Sequence, residues 1–271
     1  MTRSARKRAG AALAAVAVLA GLAGCQDGDG ASKAAAPASA TPTTQSMEEA
    51  ARAVRAAYAR AAASKSAKVE MRVMVSGGQA PGGSTFTGVQ AWGPPTADLK
   101  VFDSSYLADI PGAPVESRVL TAGGATFVDV GEGWIAQTGG KRWLRIDSRG
   151  VAAGDELLLQ LTAGLSMVNA DLPEELGLLA ASPAVKHLGP ARASGVPAQV
   201  YGGDLSGGKR VEVWIGADGY PLRTVVEAET GGVRTRISTN YSGYGTKTAV
   251  KAPAAEDTLG LAELLKGLGR G

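Results

Sequence analysis

The strongest constraint on the fold is a two-residue alternation of charged and aliphatic side chains. Charged residues at 68, 70 and 72 alternate with Val or Met at 69, 71, 73 and 75, and similar patterns recur in 210–215, 222–228 and 233–241. A period of two places successive side chains on opposite faces of a β-strand. A parallel sheet buried on both faces would instead show continuous apolar strands. The pattern therefore predicts an antiparallel sheet with one wet face and one covered face.

Two helical segments are available to cover the apolar face. Ser46 and Glu49 have the spacing of a capping box, and the helical period that follows predicts a helix ending near Ser64. Residues 155–181 return to a helical period, with a second short helix opened by Asp171 as N-cap. Together these patterns predict an α+β domain in which the sheet curls around helices.

Further strands are predicted wherever short β-prone runs lie between Gly and Pro turns. A short helix is expected near the C-terminus at 259–265. The additional strands are predicted at 85–92, 97–101, 118–121, 125–130, 143–146 and 198–205.

The first 24 residues have the pattern of a secretory signal. Four basic residues lie before residue 9, and an uncharged apolar run follows at 9–21. This run is shorter than the roughly 20 residues that a spanning helix needs. It ends in Leu22-Ala23-Gly24-Cys25, which resembles the lipobox of bacterial lipoproteins. The sequence therefore predicts a signal peptide at 1–24, with an ordinary signal peptide and an incidental Cys as the alternative.

Cys25 is the predicted lipidation site, because it is the only Cys and follows the small residues of the motif. A diacylglyceryl group on its thiol would supply two chains and anchor the protein to the outer leaflet of the cytoplasmic membrane. Residues 25–45 contain mostly Gly, Ala, Ser, Thr and Pro and are predicted to form a flexible tether. The folded domain is predicted to span 46–271, facing outward from the cell membrane.

The composition excludes several kinds of chemistry. One Cys and one His rule out a disulfide framework and make clustered metal ligands improbable. Without the four basic residues of the leader, basic and acidic residues nearly balance, so the totals do not support nucleic-acid binding.

No catalytic group is predicted. The run Gly203–Lys209 has P-loop spacing, but Arg210 replaces the Ser or Thr that would bind magnesium. His187 stands alone, and Asn240-Tyr241-Ser242 is a formal glycosylation sequon without weight in a bacterial lipoprotein. We therefore expect a protein that is not an enzyme and has no metal and no cofactor.

Motifs in the C-terminal half resemble a known family. They are Val211–Ile215, the turn at Asp218-Gly219 with Tyr220–Arg223 after it, and the ending Tyr241–Gly245. These motifs are similar to the LolA-like lipoproteins, particularly the actinobacterial LppX/LprG group. The resemblance covers about residues 46–255, and Gly216 departs from the Asp that often follows Trp-Ile in these proteins.

The resemblance implies an incomplete antiparallel β-barrel, a LolA-like half-barrel, curled over helices that cover its apolar concave face. Such proteins bind a lipid, lipoglycan or acylated cargo in an apolar cavity and carry it outside the cytoplasmic membrane. A membrane transporter or a regulatory protein is a further partner class. The candidate lipid-binding residues are the inward-facing Met71, Val73, Leu99, Val101, Val213 and Val226, with Leu158, Leu161 and Leu165 opposite. The alternative for each of these residues is that it simply fills a dry core.

A second function stays open at this point. Regulators of the RseB type share the fold and act through a protein partner in envelope-stress signalling. Such proteins carry a second domain, and residues 46–271 are predicted to form only one, which favours the lipid carrier.

Overall fold

The computed structural model describes residues 45–77, 81–105, 112–147 and 171–267. All of them lie within one compact unit, Pro42–Gly271. The predicted signal peptide, Cys25, nearly all of the tether, and the helical segment 155–170 with Leu158, Leu161 and Leu165 lie outside the described residues.

Three α-helices are described: α1 Met47–Ser64, α2 Leu172–Ala181 and α3 Leu261–Gly267. The predicted capping box starts α1, since the Ser46 hydroxyl accepts from the Glu49 amide and the Glu49 carboxylate accepts from the Ser46 amide. Helix α1 ends where Lys65 adopts a left-handed conformation with φ of 61°. Asp171 caps α2 as predicted, by accepting from the Glu174 amide.

Within the described residues the sheet contains twelve strands. They are β1 Ser66–Ser76, β2 Gly82–Ala91, β3 Thr96–Phe102, β4 Ser117–Ala122, β5 Ala125–Asp129, β6 Trp143–Ile146, β7 Lys186–Ala193, β8 Val196–Leu205, β9 Lys209–Gly216, β10 Pro221–Thr230, β11 Val233–Ser242 and β12 Thr258–Gly260.

The strands run in the order β12-β6-β5-β4-β3-β2-β1-β11-β10-β9-β8-β7, and the two end strands do not pair with each other. All neighbours are antiparallel except β12 and β6, which pair in parallel. This arrangement is the predicted α+β fold, an incomplete antiparallel barrel with helices.

The C-terminus differs from the sequence prediction. Residues predicted to begin a helix at 259 instead form β12 on the edge of β6, and α3 starts only at Leu261. A three-residue strand is too short to show a period of two, so the helical pattern of the next residues dominated the prediction.

Two apolar clusters lie on the covered side of the sheet. The first, which we call the helix-covered cluster, joins α1 and α2 to β8 and β9; it comprises Ala50, Ala51, Val54, Ala57, Ala61, Ala67, Trp92, Leu172, Leu176, Leu179, Ala180, Val185, Tyr201, Val211, Val213 and Ile215. The second, the strand cluster, comprises Val69, Met71, Val73, Phe86, Ala97, Leu99, Val101, Val119 and Ile237. Val226 and Tyr241 pack against both clusters and so join them.

Candidate functional site

The six described lipid-binding candidates all lie on this covered side. Four of them, Met71, Val73, Leu99 and Val101, belong to the strand cluster, Val213 belongs to the helix-covered cluster, and Val226 lies between the two. The four strand-cluster residues are 0–6% exposed. The fold thus brings the six together along one apolar face, and their role in binding lipid stays a prediction.

A cleft of about 490 Å³ opens beside this face, where β1 begins and β11 ends. Its walls come from both of those strands, from the β7–β8 turn and from the segment joining β9 to β10. The lining residues are Lys68, Val69, Glu70, Ala193, Ser194, Val196, Asp218, Tyr220, Leu222, Asn240, Tyr241, Ser242, Gly243 and Tyr244. None of the six candidates above is among these lining residues.

Three tyrosines form the aromatic wall of the cleft. The ring centroids of Tyr220 and Tyr244 lie 4.6 Å apart, and those of Tyr241 and Tyr244 lie 6.5 Å apart. Trp92 meets Tyr244 edge to face at 6.4 Å, and its indole nitrogen donates to the Ala61 carbonyl at 2.8 Å. Because Ala61 belongs to α1, these rings link the end of α1 to the end of the sheet.

The hydroxyls of Tyr241 and Tyr244 are held neutral. Tyr244 donates to the Pro221 carbonyl at 2.6 Å, and the Tyr241 hydroxyl lies 3.2 Å from that of Thr224. Burial raises the pKa of Tyr241 to about 12, and it raises the pKa of Tyr244 further. Tyr241 and Tyr244 therefore offer a ligand ring faces and no charge at physiological pH.

Two residues that line the cleft connect the cleft to the covered face of the sheet. Val69 is a member of the strand cluster, and Tyr241 packs against both clusters. An apolar chain that entered the cleft would therefore meet residues that belong to the sheet interior.

The cleft also has polar walls. Lys68 and Glu70 point to the exposed face of β1, and Asp218 accepts from the Tyr220 amide at 3.1 Å. The side-chain oxygen Oδ1 of Asn240 is buried without a hydrogen-bond partner. Asn240 lies opposite Glu70 in the β1–β11 ladder and opposite Arg223 in the β10–β11 ladder.

A second cavity is only about 10 Å³ and is bounded by Trp92, Thr121 and Asp171, among others. That volume suits a single water molecule and excludes an acyl chain. Burial raises the pKa of Asp171, which caps α2 at this point.

Other residues singled out in the sequence have structural roles. His187 lies 2.7 Å from the Gln199 side-chain oxygen and packs on Tyr201, as a structural histidine would. The P-loop-like run forms the β8–β9 hairpin, with its turn at Ser206–Gly208. Trp92 is 6% exposed and serves the core.

The residues that the sequence did not reveal as site residues are Tyr220, Tyr244 and Asn240. A sequence pattern that could have indicated the aromatic wall is that three of the chain's six tyrosines lie within 25 residues of one another. Asn240 carried no signal, because its burial depends on the neighbouring strands. Within the described ranges, no group of three or more His, Cys, Asp or Glu side chains could hold a metal ion. No helix in that part of the chain is long and apolar enough to cross a membrane.

Comparison with known proteins finds similar solved structures. The chain is similar to the lipoprotein LppX of Mycobacterium tuberculosis at 12% identity and a TM-score of 0.47, covering 76% of this chain and 100% of LppX. It is also similar to LprF of Mycobacterium bovis at 14% identity and a TM-score of 0.42, covering 76% of this chain and 98% of LprF.

A third similar structure is the MucA/MucB complex of Pseudomonas aeruginosa, at 13% identity and a TM-score of 0.35, covering 77% of this chain and 59% of that one. No family model matches the chain. No curated protein matches it either.

Proposed function

We propose that the protein is a membrane-anchored carrier that binds the apolar part of a lipid, lipoglycan or acylated cargo outside the cytoplasmic membrane. One observation carries the proposal: the cleft at the end of an unclosed sheet shares residues with the apolar face inside that sheet. Val69 and Tyr241 are these shared residues.

The size of the cleft is compatible with this ligand class. Its volume of about 490 Å³ falls within the roughly 300–1,000 Å³ typical of small-molecule sites. A palmitoyl chain left in water would cost about 12 kcal/mol, at about 0.8 kcal/mol per methylene. An apolar surface that replaces bilayer contacts lowers this barrier without any covalent chemistry.

The anchor completes the proposal. A diacylglyceryl group on Cys25 would hold the carrier on the outer face of the cell membrane, and residues 26–45 would let the domain reach the bilayer.

The test is lipid extraction from the compact unit, residues 42–271, purified without the anchor under mild conditions. Mass spectrometry of the extract should find about one acyl lipid per protein. Substitution Leu222→Trp places a bulky ring at the half-buried cleft wall and should reduce the bound lipid severalfold. The control Val115→Trp adds the same ring at a position that is 89% exposed and should leave the lipid content unchanged.

Two results would argue against a carrier. A lipid-free protein, even after incubation with lipids of the native membrane, would contradict the proposal. A lipid-free protein that binds one membrane protein stoichiometrically would support the RseB-type adaptor instead.

A further inference from the structure

We propose that the end of the domain that carries the cleft docks on a lipid bilayer with an anionic surface, so that the cleft opens against the membrane. The inference rests on the proposed function, because a carrier must meet the bilayer from which it takes an amphiphile. It adds which surface of the domain makes that contact and which chemistry holds it there.

Four cations, which we call the basic rim, surround the cleft: Arg60, Lys68, Arg192 and Arg223. Lys68 lines the cleft, and the guanidinium carbon of Arg60 lies 5.9 Å from the centre of the Tyr220 ring in the cleft wall. Arg192 donates to a backbone carbonyl of the β7–β8 turn at 2.7 Å, next to the cleft residue Ser194. All three side chains are exposed, so a charged surface can approach them.

The acidic groups at the cleft do not cancel the basic rim. Arg223, its fourth member, lies opposite Asn240 in the β10–β11 ladder. Against these four cations the cleft lining carries two carboxylates, Glu70 and Asp218. No rim cation forms an ion pair with a described residue, whereas nine other cations of the described domain do. The rim therefore presents a net positive charge to a partner.

The charges just beyond the rim leave this balance unchanged. Lys65 ends α1 and Lys247 follows β11, and both are exposed. Asp171 and Glu174 at the start of α2 offset them. Asp171 lines the small cavity beside Trp92 and not the cleft. An anionic bilayer surface complements the positive charge that remains.

Apolar and aromatic side chains of the cleft suit the interface between membrane and water. Val196 is 49% exposed on the cleft wall, although it is aliphatic. Tyr220 and Leu222 line the same cleft and are half-buried. Tyrosine is enriched at membrane surfaces, because its ring is apolar and its hydroxyl is polar. Basic, aliphatic and aromatic groups around one opening favour a lipid surface over a soluble acidic protein.

The tether is long enough for this orientation. Helix α1 begins at Met47, and the cleft lies at its other end, where the Ser64 hydroxyl is 3.5 Å from that of Tyr220. The 18 residues of the helix separate its start from the cleft by about 27 Å. Residues 26–45 can span about 70 Å when fully extended. An anchor at Cys25 and the cleft can therefore reach the same bilayer.

The experiment incorporates the full chain into phosphatidylcholine vesicles with and without phosphatidylglycerol, in which part of the lipid carries brominated acyl chains. Bromine quenches a tryptophan that enters the bilayer. Val196→Trp places this reporter at the cleft, and Val115→Trp places it at an exposed position at the other end of the sheet. Quenching of the four native tryptophans is measured in the parent protein and subtracted.

We expect the Val196→Trp reporter to be quenched at least about threefold more when phosphatidylglycerol is present, as the charge of the basic rim permits. The Val115→Trp reporter should stay near the parent background in both kinds of vesicle. Salt at about 1 M, where the Debye length is about 3 Å, should remove the difference.

Charge reversals provide a matched pair of variants in the Val196→Trp background. Lys68→Glu combined with Arg192→Glu should lower the docking equilibrium constant at least about tenfold, since each cation near an anionic bilayer contributes about fivefold. Lys186→Glu reverses an exposed cation at the far end of β7, which forms no ion pair with a described residue either. This control should leave the quenching unchanged.

Equal quenching in the two kinds of vesicle would overturn the docking inference, and so would equal quenching of the two reporters. Quenching at position 196 that persists in high salt and in the double charge reversal would also overturn it. That result would place a brominated lipid inside the cleft, so the proposed function would stand. The proposed function fails separately, if a protein that docks as expected yields no bound lipid on extraction.

Discussion

The helix-covered cluster and the strand cluster lie on the same side of one sheet, yet they are built differently. In the helix-covered cluster, α1 and α2 form a wall facing β8 and β9, and Leu176 and Leu179 are fully buried between them. In the strand cluster, every member within the described ranges comes from β1 to β4 or from β11. Leu99, at the centre of the strand cluster, is buried just as completely.

This difference in construction suits the two clusters to different tasks: stabilising the fold and binding a ligand. Small residues on α1, such as Ala50, Ala57 and Ala61, let the helix approach α2 closely and give a filled core. The strand cluster is a wall of apolar side chains that, among the described residues, come from the sheet alone, and the cleft reaches it through Val69. We propose that the first cluster stabilises the fold and that the second receives the acyl chain.

The largest change in the free energy of unfolding is expected when one leucine of each cluster is truncated, in Leu176→Ala and in Leu99→Ala. Leu176→Ala should lower the free energy of unfolding by about 2–5 kcal/mol, because it opens a cavity in a filled core. Urea denaturation with and without monopalmitoylglycerol should show the same lipid-induced stabilisation in Leu176→Ala as in the parent protein. In Leu99→Ala that stabilisation should shrink, because the ligand loses a contact and binding is linked to stability. The two-task account is wrong if lipid stabilises both variants equally.

A smaller effect is expected from the ion pair beneath α2. Lys209 donates to Glu175 Oε1 at 2.5 Å, while Glu175 Oε2 is buried without a partner. Lys209→Met should lower the free energy of unfolding by about 1–3 kcal/mol, because it leaves the carboxylate uncompensated. The double variant Lys209→Met with Glu175→Leu should recover most of this loss, since an apolar pair can replace a buried ion pair. A double variant less stable than Lys209→Met would show that the loss of stability does not come from the uncompensated carboxylate of Glu175.

The cap of α1 should contribute about 1 kcal/mol. Ser46→Ala removes the acceptor for the Glu49 amide and should lower the free energy of unfolding by that amount. A second bond of the cap, from the Ser46 amide to the Glu49 carboxylate, lowers the pKa of Glu49. The stabilisation from that carboxylate is separate from the hydroxyl cap; it is present above the unfolded pKa of Glu49 and is lost as the pH falls through its lower folded pKa. Urea titrations between neutral pH and pH 3 test both effects. An unchanged unfolding midpoint in Ser46→Ala would show that packing alone sets the start of α1.

The smallest effect is expected on the outer face above the strand cluster. Arg118 on β4 donates to both carboxylate oxygens of Asp98 on β3, at 2.8 and 2.6 Å, and these bonds lower the pKa of Asp98. Because the pair is half exposed, Asp98→Asn should cost only about 0.2–1 kcal/mol at neutral pH.

The lowered pKa of Asp98 sets the direction in which its contribution to stability changes with pH. The contribution of Asp98 is present above its unfolded pKa and fades as the pH falls through the lowered folded pKa. The difference between Asp98→Asn and the parent protein, measured by thermal unfolding, should therefore vanish in strong acid. A difference that grows on acidification would contradict the assignment.

The sequence predicted the parts of the fold that depend on local patterns. The capping box at Ser46 marked the start of α1, and the alternation from Lys68 to Val75 predicted β1 to within two residues of its observed start at Ser66. Hairpins such as β8–β9 were predictable because consecutive glycines mark a tight turn, and Gly207 and Gly208 do adopt positive φ angles there. The apolar face followed from the same alternation.

The cleft was not predictable, because its lining comes from four segments that only the sheet brings together. Lys68 and Asn240 are separated by more than 170 positions along the chain and lie on neighbouring strands. The unpaired Oδ1 of Asn240 depends on how neighbouring side chains bury it, which no local pattern records. The parallel pairing of β12 with β6 is likewise a tertiary contact of a segment too short to show a period.

The most direct test of the central claim is to locate a bound acyl chain by photo-crosslinking. The full chain is incubated with a palmitoyl probe that carries a diazirine near the end of its chain, irradiated and digested, and the modified peptides are sequenced by mass spectrometry. The account predicts adducts on inward-facing residues of β1 and β3, among them Met71, Val73, Leu99 and Val101, and fewer adducts in Leu222→Trp. Adducts confined to exposed positions such as Val115, or to the helix-covered cluster, would contradict it.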